Sequence, residues 1–191
     1  ESPAPGGGSV GAYVGALGAA LGTMVANLSA HKRGWDDKWD QYSEWAVIGE
    51  KHRNELLYLV DEDTRAFDRI LAAFGLPKGS DAEKAARAKA ITEATKGAIN
   101  TPLRTMEVCV ESMALMQAMA ETGLPASVSD AGVGAVCARA GAIAGYLNIL
   151  INCSGLNDAD FKTKVLAKAE ALRSEAEALE ADVMRVTLSK M

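Results

Sequence analysis

Apolar residues recur along this chain at spacings of three, four and their sums, and no segment of strand length alternates apolar with polar. That periodicity predicts helices throughout. A first helix is expected over about Val10–Ala30, with Ser9 as its N-cap behind the Gly6-Gly7-Gly8 turn. A second runs over about Asp36–Phe74 and ends at Gly75, with Pro77 beyond as a stop signal. Ser80 and Glu83 form a capping box for a third, an Ala-rich helix reaching about Asn100. Thr101 and Pro102 read as N-cap and N1 of a fourth that ends near Gly123 and Pro125. Ser129 and Asp130 open a fifth reaching about Asn152, and a last, largely exposed helix starts near Asn157. The expectation is an all-α bundle of about six helices.

Within the second helix, Trp39, Tyr42, Trp45, Leu56, Val60, Phe67, Ile70 and Phe74 share one stripe, and Asp63 falls inside it. At 100° per residue Asp63 sits between Val60 and Phe67, whereas Asp61 and Glu62 turn away. A carboxylate on a core-facing stripe must be hydrogen-bonded, paired, protonated, or open to a pocket where chemistry occurs. Arg139 and Arg104 are candidate partners for it. The first and fifth helices carry small residues in rows, Gly11, Gly15, Gly18 and Gly22 in one and Gly134, Ala138, Gly141 and Gly145 in the other. Such rows let backbones approach closely.

Composition narrows the function. At 191 residues with net charge −5, the chain is long enough for one domain and has no basic footprint for nucleic acid or an anionic membrane. Ser2 to Ala30 carries no charge, but its Pro and Gly content and the absence of a positive leading segment fit a helix buried in a bundle better than a signal peptide or span. Arg139 argues the same for the fifth helix. Cys109, Cys137 and Cys153 are widely spaced in apolar context and read as reduced core thiols in a cytoplasmic protein. His31 and His52 have no second ligand in pattern, so no metal site is expected. Gly6 to Gly11 formally matches G-x-G-x-x-G. No strand precedes it and no acidic residue follows at the distance of a ribose contact, so a dinucleotide fingerprint is excluded. It remains a glycine turn whose amides open a helix and can contact a ligand. Asn148 and Asn152 lie one turn apart on the fifth helix, and their amides suit either core backbone groups or the edge of a heteroaromatic ring.

Pro3-Ala4-Pro5-Gly6-Gly7-Gly8-Ser9-Val10, Leu59-Val60-Asp61-Glu62-Asp63 with Phe67, Leu76-Pro77-Lys78, Pro102-Leu103, Ser129-Asp130, Tyr146-Leu147-Asn148 and Ile151-Asn152 occur in this order along the chain. Together they resemble the formiminotetrahydrofolate cyclodeaminase family, whose fold also includes methenyltetrahydrofolate cyclohydrolases. The resemblance spans the whole chain, residues 1–191, as a single cyclodeaminase-like helical domain. It implies that a short preceding helix or an upstream formiminotransferase domain is missing. It also implies a homodimer or higher homo-oligomer with a folate site near the subunit interface, a possibly polyglutamylated folate substrate, and no cofactor. Asp63 is the implied catalytic residue. Gly6, Gly7, Gly8 and Ser9 would contact the folate, and Ser129, Asp130, Asn148 and Asn152 are weaker pocket candidates. Lys32, Arg33 and Lys78 are candidate cations for the glutamate tail. The leading expectation is an ammonia-lyase that converts 5-formiminotetrahydrofolate to 5,10-methenyltetrahydrofolate in histidine degradation. The alternatives are a methenyltetrahydrofolate cyclohydrolase and a non-catalytic helical dimerisation module.

Overall fold

A computed structural model describes residues 5–191, so Pro3 and Ala4 of the first motif lie outside the described residues. The described residues form five α-helices: α1 (Gly7–Ala30), α2 (Trp39–Phe74), α3 (Asp81–Thr122), α4 (Val128–Ser154) and α5 (Ala159–Ser189), with short 3₁₀ turns before α2 and α4. Among the described residues there is no strand. The predicted capping box opens α3, with Glu83 N–H donating to Ser80 Oγ at 3.2 Å and Ser80 N–H donating to Glu83 Oε2 at 2.7 Å. At α5 the cap is Asp158, whose carboxylate accepts from Phe161 N–H at 3.0 Å.

The expected break at Thr101 and Pro102 is absent, because α3 runs straight through it. Proline has no N–H, so the Ala98 carbonyl loses its helical donor. Asn152 of α4 supplies one instead, its Nδ2 donating to Ala98 O at 3.0 Å. A single cross-helix amide thus keeps the third and fourth predicted helices as one, and the count falls from about six to five.

The rows of small residues pack as anticipated. A Cβ on Gly18 would stand 2.6 Å from the Gly134 carbonyl, and one on Gly141 would stand 2.8 Å from the Gly11 carbonyl. The two backbones therefore touch, and α1 and α4 run antiparallel through the centre of the bundle. By length and composition alone, the segments Gly7–Ala30 and Pro125–Ser154 are apolar enough to cross a membrane. The close α1–α4 packing uses part of that apolarity inside the fold, while Val10, Tyr13, Leu17, Val133 and Ile151 stay exposed, and Arg139 of α4 reaches Glu180 of α5 at 3.5 Å.

The stripe predicted on α2 is buried only in part. Tyr42 and Leu56 are buried and Val60 is half-buried, but Trp39, Phe67 and Phe74 are exposed. Past Asp63 the buried face narrows to Ala66 and Ala73. The cause is length: α1 begins opposite Asp63, so the last three turns of α2 extend beyond it. Phe67 and Ile70 face the open space so created. The cysteines are free; burial pushes the Cys109 thiol up to about 12, as befits a core residue.

Candidate active site

The N-terminus of α1 leaves its first backbone N–H groups without helical acceptors. Gly6 is the N-cap residue and makes no side-chain cap. Ser9, expected to be that cap, lies inside the first turn and serves another purpose. Its N–H and its Oγ–H both donate to Asp63 Oδ2, each at 2.8 Å. Asp63 of α2 therefore caps α1 from outside, where the positive end of the helix favours a negative charge. The arginines considered as its partners are engaged elsewhere. Arg139 faces Glu180, and Arg104 binds Glu55, Glu107 and Glu111.

Gly8 explains why this contact is possible. A Cβ there would overlap the Asp63 carboxylate, reaching 2.6 Å from its Cγ. Gly7 is close in the same way to Asn148, whose Nδ2 would stand 3.1 Å from an added Cβ. The glycine turn is thus the space into which Asp63 and Asn148 fit.

Around these groups lies a cleft of about 200 Å³ lined by Gly6, Ser9, Asp63, Thr64, Phe67, Asp68, Ile70, Ala98, Asn148 and Asn152. Gly6, Ser9, Asp63, Asn148 and Asn152 of the sequence-derived set meet here, with Gly7 and Gly8 directly behind them. Both asparagines turn their Nδ2 groups to backbone carbonyls, Asn148 to Ala144 at 2.8 Å and Asn152 to Ala98 at 3.0 Å. Their Oδ1 atoms remain as acceptors, so each amide serves both the core and the cleft.

Ser129 and Asp130 do not join the cleft. They open α4, about 27 Å from Asn148 along the helix axis, so a motif shared along the sequence places them at the opposite end of the bundle. Lys32 and Arg33 follow the C-terminus of α1, roughly 35 Å from Gly7. Thr64, Asp68 and Ala98 line the cleft without having been singled out, and Phe67 and Ile70 line it after being read as core. Phe67 and Ile70 follow Asp63 by one and two turns, a spacing that could have flagged them as walls.

An all-helical bundle in which one helix presents a carboxylate to a cleft, against a glycine-opened helix N-terminus, offers a concave site of the kind that holds a small organic ligand. Which family it represents is settled by similarity. The family described as Formiminotransferase-cyclodeaminase matches residues 1–171, and the chain belongs to that family. Methenyltetrahydrofolate cyclohydrolase of Methylorubrum extorquens is 39% identical over 190 residues, covering 100% of this chain and 91% of that protein. Formimidoyltransferase-cyclodeaminase of Rattus norvegicus is 34% identical over 92% of this chain, which corresponds to only 32% of that longer protein. A crystal structure of formiminotetrahydrofolate cyclodeaminase from Thermotoga maritima superimposes with a TM-score of 0.86 at 28% identity, covering 99% of this chain and 90% of that one.

Proposed function

We propose that this chain acts on the one-carbon unit joining N5 and N10 of tetrahydrofolate, with Asp63 as the group that moves protons. The observation that carries this reading is the Asp63 carboxylate, fixed by Ser9 at one oxygen and, among the described residues, without a cation at the cleft wall. Hydrolysis and deamination at this position share one chemical form, a tetrahedral carbon bound to N5, N10 and one heteroatom. That heteroatom is oxygen in the first reaction and nitrogen in the second.

Hydrolysis of 5,10-methenyltetrahydrofolate to 10-formyltetrahydrofolate is the first reading, favoured by the end-to-end match to a cyclohydrolase. Water adds to the cationic bridge carbon and gives its proton to Asp63 as general base. The C–N5 bond then breaks as the new hydroxyl loses its proton, and N5 takes the proton held by Asp63. One proton is released overall. A carboxylate beside the bridge also stabilises its positive charge.

Deamination of 5-formiminotetrahydrofolate is the second reading, favoured by the likeness to cyclodeaminases in sequence and fold. With its formimino nitrogen already protonated, the substrate is attacked at the formimino carbon by N10, which passes its proton to Asp63. Asp63 returns that proton to the amine, and ammonia leaves to give the methenyl bridge. As written, neither sequence needs a metal or nucleotide, and both suit a cytoplasmic enzyme of one-carbon metabolism. An association with a formiminotransferase and a place in histidine degradation would follow from the second reading alone.

In either case the pterin edge would meet the Oδ1 atoms of Asn148 and Asn152, and Phe67 and Ile70 would form its apolar wall. The assembly we propose is a homodimer. Val10, Tyr13, Leu17, Met24 and Leu28 lie exposed along one face of α1, beside exposed Leu147 of α4. Contiguous apolar surface of this kind marks a protein contact, and Val10 and Leu147 are next in sequence to Ser9 and Asn148 of the cleft.

One experiment tests these points together. Methenyl absorbance and ammonia are followed with both substrates, using this chain and its Asp63→Asn variant, and the same preparations are sized by sedimentation velocity. Turnover of one substrate, falling roughly 10²- to 10⁴-fold in the variant, is expected, with a dimer in solution. Folded protein that turns over neither substrate, or a variant as active as the parent, would overturn the assignment. A monomer would remove the dimer alone.

A further inference from the structure

A serine hydroxyl carries one proton, and in the first turn of α1 that proton is already committed. Ser9 is only 2% exposed, so its hydroxyl must find its partners inside the protein. It donates to Asp63 Oδ2 at 2.8 Å, and its own oxygen lies 3.5 Å from Thr64 Oγ1. Because the Ser9 proton goes to Asp63, only Thr64 can be the donor in that second contact. The three groups therefore form a directed chain, from Thr64 through Ser9 to the carboxylate.

Thr64 also departs from what threonines do elsewhere in this molecule. The described residues include nine threonines, all within helices, and seven of them donate the hydroxyl to the carbonyl four residues back. That bond is local and open to any helical threonine. Only Thr187 and Thr64 lack it among the described residues. Thr187 is buried against Gly132 with its hydroxyl unpaired, whereas Thr64 is half-buried at the cleft wall and its hydroxyl faces Ser9 on another helix. A local bond to the Val60 carbonyl is thus exchanged for a contact with α1. At 3.5 Å that contact is long, so its effect lies in direction more than in strength.

We infer that Thr64 is a positioning residue for Asp63 that acts through Ser9, its hydroxyl holding the Ser9 hydroxyl in the orientation that points at Asp63 Oδ2. The inference rests on the catalytic reading of Asp63 above and deepens it. With the Ser9 N–H and O–H both on Oδ2, Oδ1 has no protein donor among the described residues and is the oxygen left to take and return the proton. Each donor in such a chain polarises the next, so the Thr64 contact also strengthens the bond from Ser9 to Asp63. Without it the Ser9 hydroxyl can swing toward the cleft, and the carboxylate keeps only the Ser9 N–H. Asp63 then rotates more freely, and Oδ1 faces the bridge carbon for less of the time. Thr64 gives its one hydroxyl proton to Ser9, so it presents only lone pairs to the cleft and transfers no proton itself.

The test is a double-mutant cycle on Thr64→Val and Ser9→Ala, with Thr64→Ser as the conservative control, read by steady-state kinetics on both folate substrates and by urea unfolding. Valine keeps the shape of threonine and removes the hydroxyl, whereas serine keeps the hydroxyl and removes the methyl. Thr64→Val is expected to lower kcat about two- to tenfold, the range of one neutral hydrogen bond, with KM little changed. Thr64→Ser should retain most of the parent rate. In the Ser9→Ala background, Thr64→Val should have no further effect on kcat or on the unfolding midpoint, because the group it acts through is gone. Should Ser9→Ala not fold, the valine and serine variants decide the matter by themselves. Unchanged kcat in Thr64→Val, a rise in KM in place of the fall in kcat, Thr64→Ser as impaired as Thr64→Val, or a loss that persists in the Ser9→Ala background would overturn the positioning role and leave the catalytic reading of Asp63 intact. Parent protein that is folded but inactive on both substrates would overturn the proposed function and this inference with it.

Discussion

Glu55 and Asp63 stand about two turns apart on α2, yet their carboxylates are held in opposite ways. Glu55 accepts from Arg104 Nε and Nη2 at 2.6 and 3.1 Å, and the same guanidinium reaches Glu107 and Glu111, each at 2.9 Å. Lys168 adds a second cation at Glu107. These contacts raise the Arg104 pKa, led by the Glu55 hydrogen bond. The charge of every carboxylate in that network is committed to tying α2, α3 and α5 together. Asp63 meets only the neutral N–H and O–H of Ser9, both at Oδ2, and Oδ1 has no protein donor among the described residues. Neutral donors at one oxygen position a carboxylate and leave its other oxygen open to a ligand, whereas a bidentate arginine engages both oxygens. The two carboxylates thus differ by their partners rather than by their helix.

Gly8→Ala is the strongest way to break this comparison. The new Cβ would occupy the space of the Asp63 carboxylate, which must then rotate away from Ser9. Displacement of a reacting group by about 1 Å can cost 10²-fold in rate. A fall in kcat/KM of about 100-fold with native circular dichroism is expected, and unchanged turnover would show that the glycine turn does not position Asp63.

Arg104→Gln acts on the other side of the comparison and should move stability instead of chemistry. The network is partly solvated, so its loss is expected to be about 1 kcal/mol. In a chain of this size that lowers the melting temperature by about 2–4 °C. An activity loss as large as that of Gly8→Ala, at equal foldedness, would erase the distinction between the two carboxylate sets.

His52→Gln gives the smallest and most diagnostic effect. Burial lowers the His52 pKa from the ordinary 6.5, against the opposing pull of Glu111 and Glu55. The unfolded chain therefore takes up this proton at a higher pH than the folded one, so the unfolded state binds more protons in that window. Stability from this group is complete above about pH 6.5 and is lost as the pH falls toward the lowered value. Urea unfolding at pH 7.5 and 5.5 should give a smaller stability difference in the variant than in the parent. An identical difference in both proteins would show that His52 is not held neutral by the fold.

Much of this molecule was legible along the chain, for reasons tied to particular residues. The α3 capping box, the ends of α2 and α4, and the close packing of α1 on α4 all depend on local chemistry or on one helix face. Asp63 was legible because a carboxylate on an apolar stripe contradicts the pattern around it. The glycine turn was legible as a place of close approach, but not what approaches it. The continuity of α3 through Pro102 was not, since its remedy is an amide 50 residues away in α4. Neither was the misplacement of Ser129, Asp130, Lys32 and Arg33, because proximity in a motif list carries no information about which end of a bundle a residue occupies.

Periodicity, caps and the family pattern determined an all-helical chain, the identity of its odd carboxylate and the kind of substrate to consider. These are properties of single helices and single positions, where i, i+3 and i+4 spacing is enough. Only the tertiary structure decided that Ser9 rather than an arginine holds Asp63, and that Phe67 and Ile70 are cleft walls instead of core. Each of those depends on where one helix starts and another stops in space, a quantity set by the packing of all five helices together.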